Sequence, residues 1–169
     1  RAKAVNFGIV YGIGAFSLAK DIGVSNKEAK HYIESYLAHY SGVDSYMKNV
    51  VEKANADGYV ETMFGRRRNL PELTSSKHMI RAFGERVARN MPIQGTAADI
   101  IKIAMIKVDE RMKAENLRAR LVLQVHDELI VEAPQDESMR VALIVQEEME
   151  NAVKMSVPLT ADAAIGRTW

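Results

Sequence analysis

Apolar positions recur along most of this chain at helical spacing, and only late do they alternate in the manner of strands. Ser25, Asn26, Lys27 and Glu28 read as a capping box, in which a hydroxyl and a carboxylate each satisfy a backbone N–H at a helix start. Ala29, Tyr32, Ile33, Tyr36, Leu37 and Tyr40 then share one helical face, with Gly42 as the expected stop. Val43, Tyr46, Met47, Val50, Val51 and Ala54 repeat the pattern until Asp57-Gly58 breaks it, and Tyr59 to Phe64 reads as a short extended piece. A long helical region is predicted from about Lys77 to Asn116, interrupted or kinked near Pro92, because proline cannot donate and crowds the preceding turn. Alternation over Arg120 to Val125 and Leu129 to Glu132 predicts a hairpin, at about 119–132. Glu137 to Lys154 reads as an amphipathic helix, and a last strand is expected at about 159–165. Two strands alone make a marginal sheet, so that last strand is expected to join the hairpin. The pattern predicts an α+β fold, mostly helical, with a small antiparallel sheet.

Composition narrows the class. The chain has 169 residues, 47% apolar and 27% charged, as in an ordinary globular domain, and it is long enough to bury a real core. No apolar run reaches membrane-spanning length, and no secretory signal opens the chain, so no membrane partner is expected. It contains no Cys, which excludes a disulfide framework and a thiolate metal site and suits a reducing, cytoplasmic setting. The net charge of +1 hides a polarity. Arg66, Arg67, Arg68, Lys77, Arg81, Arg86 and Arg89 face only Glu72 and Glu85 within their segment, whereas Glu132 to Glu150 is acidic. Such polarity can present one face to a polyanion.

Four places carry candidate chemistry. Lys3, Phe7 and Tyr11 are spaced by four residues, which stacks a cation and two aromatic platforms along one side of a helix. That column can hold a phosphate at one end and stack a base or sugar further along; alternatively it is a core helix whose lysine reaches to water. Arg86, Asn90 and Gln94 repeat the spacing. One guanidinium and two carboxamides suit the DNA minor groove, whose acceptors sit in similar places for every base pair, although a plain solvated helix face would look the same. Arg66-Arg67-Arg68 is either a soluble loop or a phosphate clamp weakened by salt. Asp127 and Glu128 fall at the predicted hairpin tip, where gathered carboxylates bind hard cations such as Mg²⁺ through oxygen, or are simply solvated. The four His (His31, His39, His78 and His126) show no metal-ligand spacing, which disfavours a metal-dependent phosphohydrolase built on His126, Asp127 and Glu128.

Lys3-Ala4-Val5-Asn6-Phe7-Gly8-Ile9-Val10-Tyr11-Gly12 resembles the K-x-x-x-F-G-x-x-Y-G signature of family A DNA polymerases, the bacterial DNA polymerase I type. Phe64-Gly65-Arg66-Arg67-Arg68, the run from Asn90 to Asp99 (NMPIQGTAAD), and Val125-His126-Asp127-Glu128 resemble further segments of that family, in its order. The resemblance covers essentially the whole chain. It implies part of a larger polymerase domain, with residues 1–75 belonging to the fingers and a connecting segment and 76–169 to the C-terminal half of the palm.

The resemblance also implies roles. Lys3 would contact the incoming deoxynucleoside triphosphate, Phe7 would pack on its sugar, and Tyr11 would occupy or gate the template-base stacking position. Asp127 would bind the catalytic magnesium ions, two in the complete site, with Glu128 in support. His126 would approach the primer end, while Arg86, Asn90, Gln94 and Gln124 would line the minor groove of primer-template DNA. Phe rather than Tyr at position 7 is associated in the family with discrimination against nucleotides lacking a 3′-hydroxyl. The family's other metal-binding aspartate, in a D-Y-S-Q-I-E-L-R-like motif, is not found among these residues, and an arginine expected four residues before Lys3 would precede Arg1. The expectation is a monomeric parent that adds deoxynucleotides to a primer 3′ end by two-metal nucleotidyl transfer, with this piece inactive alone. A non-catalytic nucleic-acid-binding module using Asp127 structurally is the alternative.

Overall fold

The structure, a computed structural model, describes residues 2–168, so Arg1 and Trp169 lie outside it. It is mostly helical, and its strands form antiparallel pairs, an α+β fold. The chain forms two compact units, residues 1–95 and 96–169.

The first unit opens with four helices: α1 (Ala2–Val10), α2 (Ala15–Ile22), α3 (Asn26–His39) and α4 (Ser41–Asp57). The capping box of α3 is present. The Glu28 N–H donates to Ser25 Oγ at 3.2 Å, and the Ser25 N–H donates to Glu28 Oε2 at 3.1 Å. These bonds favour the ionised carboxylate and hold the Glu28 carboxyl below its usual range. Gly42, the expected stop of α3, lies instead in the first turn of α4. Tyr40 makes the junction by itself: its N–H donates to the Tyr36 carbonyl at 2.8 Å, while its own carbonyl accepts from Val43 and Asp44. Leu18, Ala19, Ile22 and Ala29 form a buried core for α2 and α3, with Val5, Ile13 and Ile33 packed against it.

The chain leaves α4 at Gly58 and turns back in a hairpin of β1 (Tyr59–Glu61) and β2 (Arg67–Asn69). Val60 lies opposite Arg68, and Glu61 opposite Arg67. This second hairpin went unanticipated, because β2 is three exposed polar residues with no apolar alternation. A short 3-10 turn, Pro71–Thr74, leads to α5 (His78–Ala114), which continues through Pro92 for 37 residues. Ala54, Val60, Leu70, Leu73, Ala88 and Met91 form the core that joins α4, the hairpin and the first part of α5.

In the second unit, the end of α5 is followed by β3 (Arg120–Val125), β4 (Glu128–Glu132) and α6 (Ser138–Glu150). Val108 and Met112 of α5 and Val141 and Ile144 of α6 are buried together, and Leu121, Leu129 and Val131 pack against them from the hairpin. The register shifts between Leu121 and Leu123, which interrupts the strict alternation expected in β3 and leaves Val122 and Leu123 exposed. The strand expected at 159–165 is absent, and the β3–β4 sheet has two strands. Ala161, Asp162, Ala163 and Ala164 have low strand propensity, and the Ala161 N–H donates to Glu150 Oε1 at 3.2 Å rather than to a strand. Burial of one hairpin face on α5 and α6 supplies the support that a third strand was expected to give.

Candidate nucleotide and nucleic-acid site

In the first unit, the predicted column on α1 is formed. Lys3 Nζ lies 5.7 Å from the centroid of the Phe7 ring, and the Phe7 and Tyr11 rings stack at 6.3 Å with 21° between their planes. Phe7 is 51% exposed and Tyr11 42% exposed, so the rings are platforms open to a ligand rather than core. Opposite faces of α1 divide the labour, with Ile9 buried at 2% exposure. Tyr11 falls one residue past the helix, in a turn completed by Gly12 at φ 78°.

The stripe on α5 is uneven. Arg86 and Gln94 are exposed, but Asn90 is half-buried, and its Oδ1 is buried without a hydrogen-bond partner among the described residues. An ordinary solvated face would not carry an orphaned buried amide oxygen. The Arg86 guanidinium lies 5.9 Å from the Phe83 ring.

The arginine triplet is distributed over separate tasks. Arg66 Nη2 donates to the Gly95 carbonyl at 2.9 Å, one residue beyond Gln94. Thr62, buried below them, accepts through its Oγ1 from the N–H groups of Phe64 and Arg66. Arg67 lies over the Tyr59 ring at 4.4 Å and pairs with Glu61 at 3.3 Å. Arg68 alternates to the opposite side of the strand and is exposed. The three guanidiniums thus have different surroundings.

In the second unit, a two-residue connection, His126 and Asp127, joins β3 to β4, with Val125 paired to Glu128. His126 has φ 53°, a left-handed conformation uncommon for a residue with a side chain. Gln124 Nε2 donates to the His126 carbonyl at 2.6 Å and braces the tip. His126, Asp127 and Glu128 are all exposed. Lys3, Phe7 and Tyr11 therefore come together in one unit, and Gln124, His126, Asp127 and Glu128 in the other. Arg89, in the sequence only one cation of the basic segment, stands four residues after Glu85, the spacing of a surface i, i+4 pair. It makes that pair at 3.3 Å, but it also reaches the turn that carries Tyr11.

The family model for DNA polymerase family A matches residues 1–169. The chain belongs to DNA polymerase family A. It is 54% identical over 169 residues to DNA polymerase I of Bacillus caldotenax and 53% identical over the same length to DNA polymerase I of Geobacillus stearothermophilus. Each match covers 100% of this chain and 19% of the relative, so the chain spans about a fifth of the length of those polymerases. A solved structure, the POL domain of Pol1 from M. smegmatis in complex with DNA primer-template and dNTP, superposes with a TM-score of 0.88 at 48% identity. That match covers 93% of this chain and 28% of the mycobacterial one.

Family A polymerases are in general metal-dependent, and the donors at the hairpin tip fit a hard divalent cation in kind. Asp127 and Glu128 are adjacent oxygen donors, exposed at the end of a braced hairpin. Among the described residues, no group of three or more Asp, Glu or His side chains forms a metal cage. The pair therefore matches part of a coordination set. Among the described residues, no helix is long and apolar enough to cross a membrane.

Proposed function

We propose that these residues form part of the active site of a template-directed DNA polymerase, which adds deoxynucleotides to a primer 3′ end. The open Lys3–Phe7–Tyr11 column, present in a chain of this family, carries the reading. Lys3 offsets charge on the incoming triphosphate, Phe7 packs on its sugar, and Tyr11 holds or gates the stacking position of the template base. Arg86, Asn90 and Gln94 offer donors to minor-groove acceptors, which lets the chain sense pair geometry without reading sequence. Gln124 fixes the His126 carbonyl, so the His126 ring is carried toward the primer end on a braced turn. Asp127, supported by Glu128, would hold Mg²⁺, which when bound stabilises the entering and departing oxygens of an in-line displacement at the α-phosphate. Residues 1–75 act in the fingers with a connecting segment, and 76–169 in the palm.

The test is primer extension by the intact polymerase that contains these residues. Asp127→Asn is expected to lower incorporation by about a hundredfold to a thousandfold, the order of loss on removing one preorganised electrostatic group, while primer-template binding persists. Extension at the parent rate would overturn the assignment of Asp127, whereas an intact parent that binds primer-template without extending it would favour the non-catalytic binding module.

A further inference from the structure

The turn that ends α1 has an external support. The last turn of α1 contains no basic residue of its own, although its free carbonyl end favours a nearby cation. Arg89, from α5, supplies one. Its Cδ and Nη1 each lie 3.6 Å from the position that a Cβ on Gly12 would occupy, so the arginine lies against the turn itself. The side chain is only 23% exposed, and Glu85, one helical turn earlier on α5, holds its Nη2 at 3.3 Å. On the other side, a Cβ on Gly8 would approach Ile13 Cγ2 to 3.0 Å, so the turn is packed between Ile13 and Arg89. Arg89 also lines a cavity of about 250 Å³ together with Val10, Val43, Tyr46, Met47 and Ile93. Val10 of α1 and Arg89 of α5 therefore border the same space beside the helix end.

We propose that Arg89 is a positioning residue, held by Glu85, that fixes the end of α1 and so sets where Phe7 and Tyr11 meet the incoming nucleotide. The link to the nucleotide rests on the function proposed above; the support of the turn does not. The arginine forms no covalent bond and need not touch the substrate. Its contribution is the placement of the ring column relative to Lys3.

The experiment uses the intact polymerase with Arg89→Met, which keeps the bulk and removes the charge, Arg89→Lys, and Phe7→Ala as a reference. Hydrogen–deuterium exchange of the 8–13 amides reads the turn directly, and steady-state incorporation reads the nucleotide. Arg89→Met is expected to speed exchange at 11–13 about tenfold and to raise the apparent KM for the incoming nucleotide about threefold to tenfold, with kcat changed less than twofold. Arg89→Lys is expected to recover most of both effects. Unchanged exchange in Arg89→Met overturns the support. Faster exchange with an unaltered KM, while Phe7→Ala raises KM, overturns the link to nucleotide binding. If Phe7→Ala itself leaves KM unaltered, the nucleotide role of the column is wrong, and exchange alone decides Arg89. Loss of folded protein in Arg89→Met moves the comparison to Glu85→Gln, where the same pair of readouts applies.

Discussion

Phe7 presents half of its surface to solvent and has a second ring stacked behind it, so a small change at its rim alters the ligand side without disturbing the core. Phe7→Tyr adds one hydroxyl at such a rim. In the intact polymerase the change is expected to raise incorporation of dideoxynucleotides relative to deoxynucleotides, because the phenol can replace the polar contact that a missing 3′-hydroxyl withdraws. Competition between the two nucleotide types in a primer-extension ladder measures it, and an unchanged ratio would place the sugar elsewhere. At the same scale, His126 places backbone strain at the hairpin tip. A left-handed backbone in a residue with a side chain costs about 1–2 kcal/mol, and here it falls beside Asp127 at the tip of a braced hairpin.

Close approach between elements in the first unit depends on a missing side chain. A Cβ on Gly95 would lie 2.7 Å from Thr62 Cγ2, with Met91 and Arg66 also near, so α5 and the β1–β2 turn meet where only hydrogen fits. Gly95→Ala is expected to destabilise the protein by about 1–3 kcal/mol through overpacking. Gly42, in α4 with nothing within 4 Å of a Cβ, is the control. Gly42→Ala is expected to stabilise by up to about 1 kcal/mol, since glycine is a poor helix former. Thermal melts of the two variants should move in opposite directions. Elements with strong periodicity or a local cap were legible in advance: the capping box of α3, the length of α5 and the β3–β4 hairpin. The β1–β2 hairpin was not, because its supports Thr62, Arg66 and Gly95 are polar or small, and Gly95 lies 29 residues beyond Arg66. The strand expected at 159–165 failed because its alanines have low strand propensity and the hairpin it was to join already rests on α5 and α6. Lys3, Phe7 and Tyr11 were readable from spacing, whereas Arg89 required knowing what packs against Gly12.

At the scale of the whole molecule, charge ties the end of α5 to α6 within the second unit. Arg140, and then Arg111, hold the Glu115 carboxyl below the usual carboxylate range, and Arg111 also pairs with Glu147 and Glu148 at 2.7 Å. A carboxyl with a lowered folded pKa binds fewer protons folded than unfolded, so its stabilising contribution is complete above the ordinary value of about 4.3 and is lost as pH falls through the folded value. Stability is therefore expected to decline in acid below that value, and Glu115→Gln should flatten the decline. Denaturant midpoints from pH 3 to pH 7 measure it, and an identical slope in the variant would remove Glu115 from the account. The 169 residues alone are expected not to extend a primer, because the hairpin tip offers only the Asp127–Glu128 pair and no group of three or more acidic or histidine side chains forms a metal cage among the described residues. Magnesium-dependent incorporation by the isolated chain, abolished by Asp127→Ala, would contradict this. A last consequence belongs to the core beneath the hairpin. Leu121, Leu129 and Val131 stand on Val108, Met112, Val141 and Ile144, and this packing supports a sheet of only two strands. In a genetic screen for loss of polymerisation, polar substitutions at Val108 or Ile144 should be recovered alongside Asp127, although neither bears a reactive group. Such alleles should regain activity at lower growth temperature, whereas those at Asp127 should not.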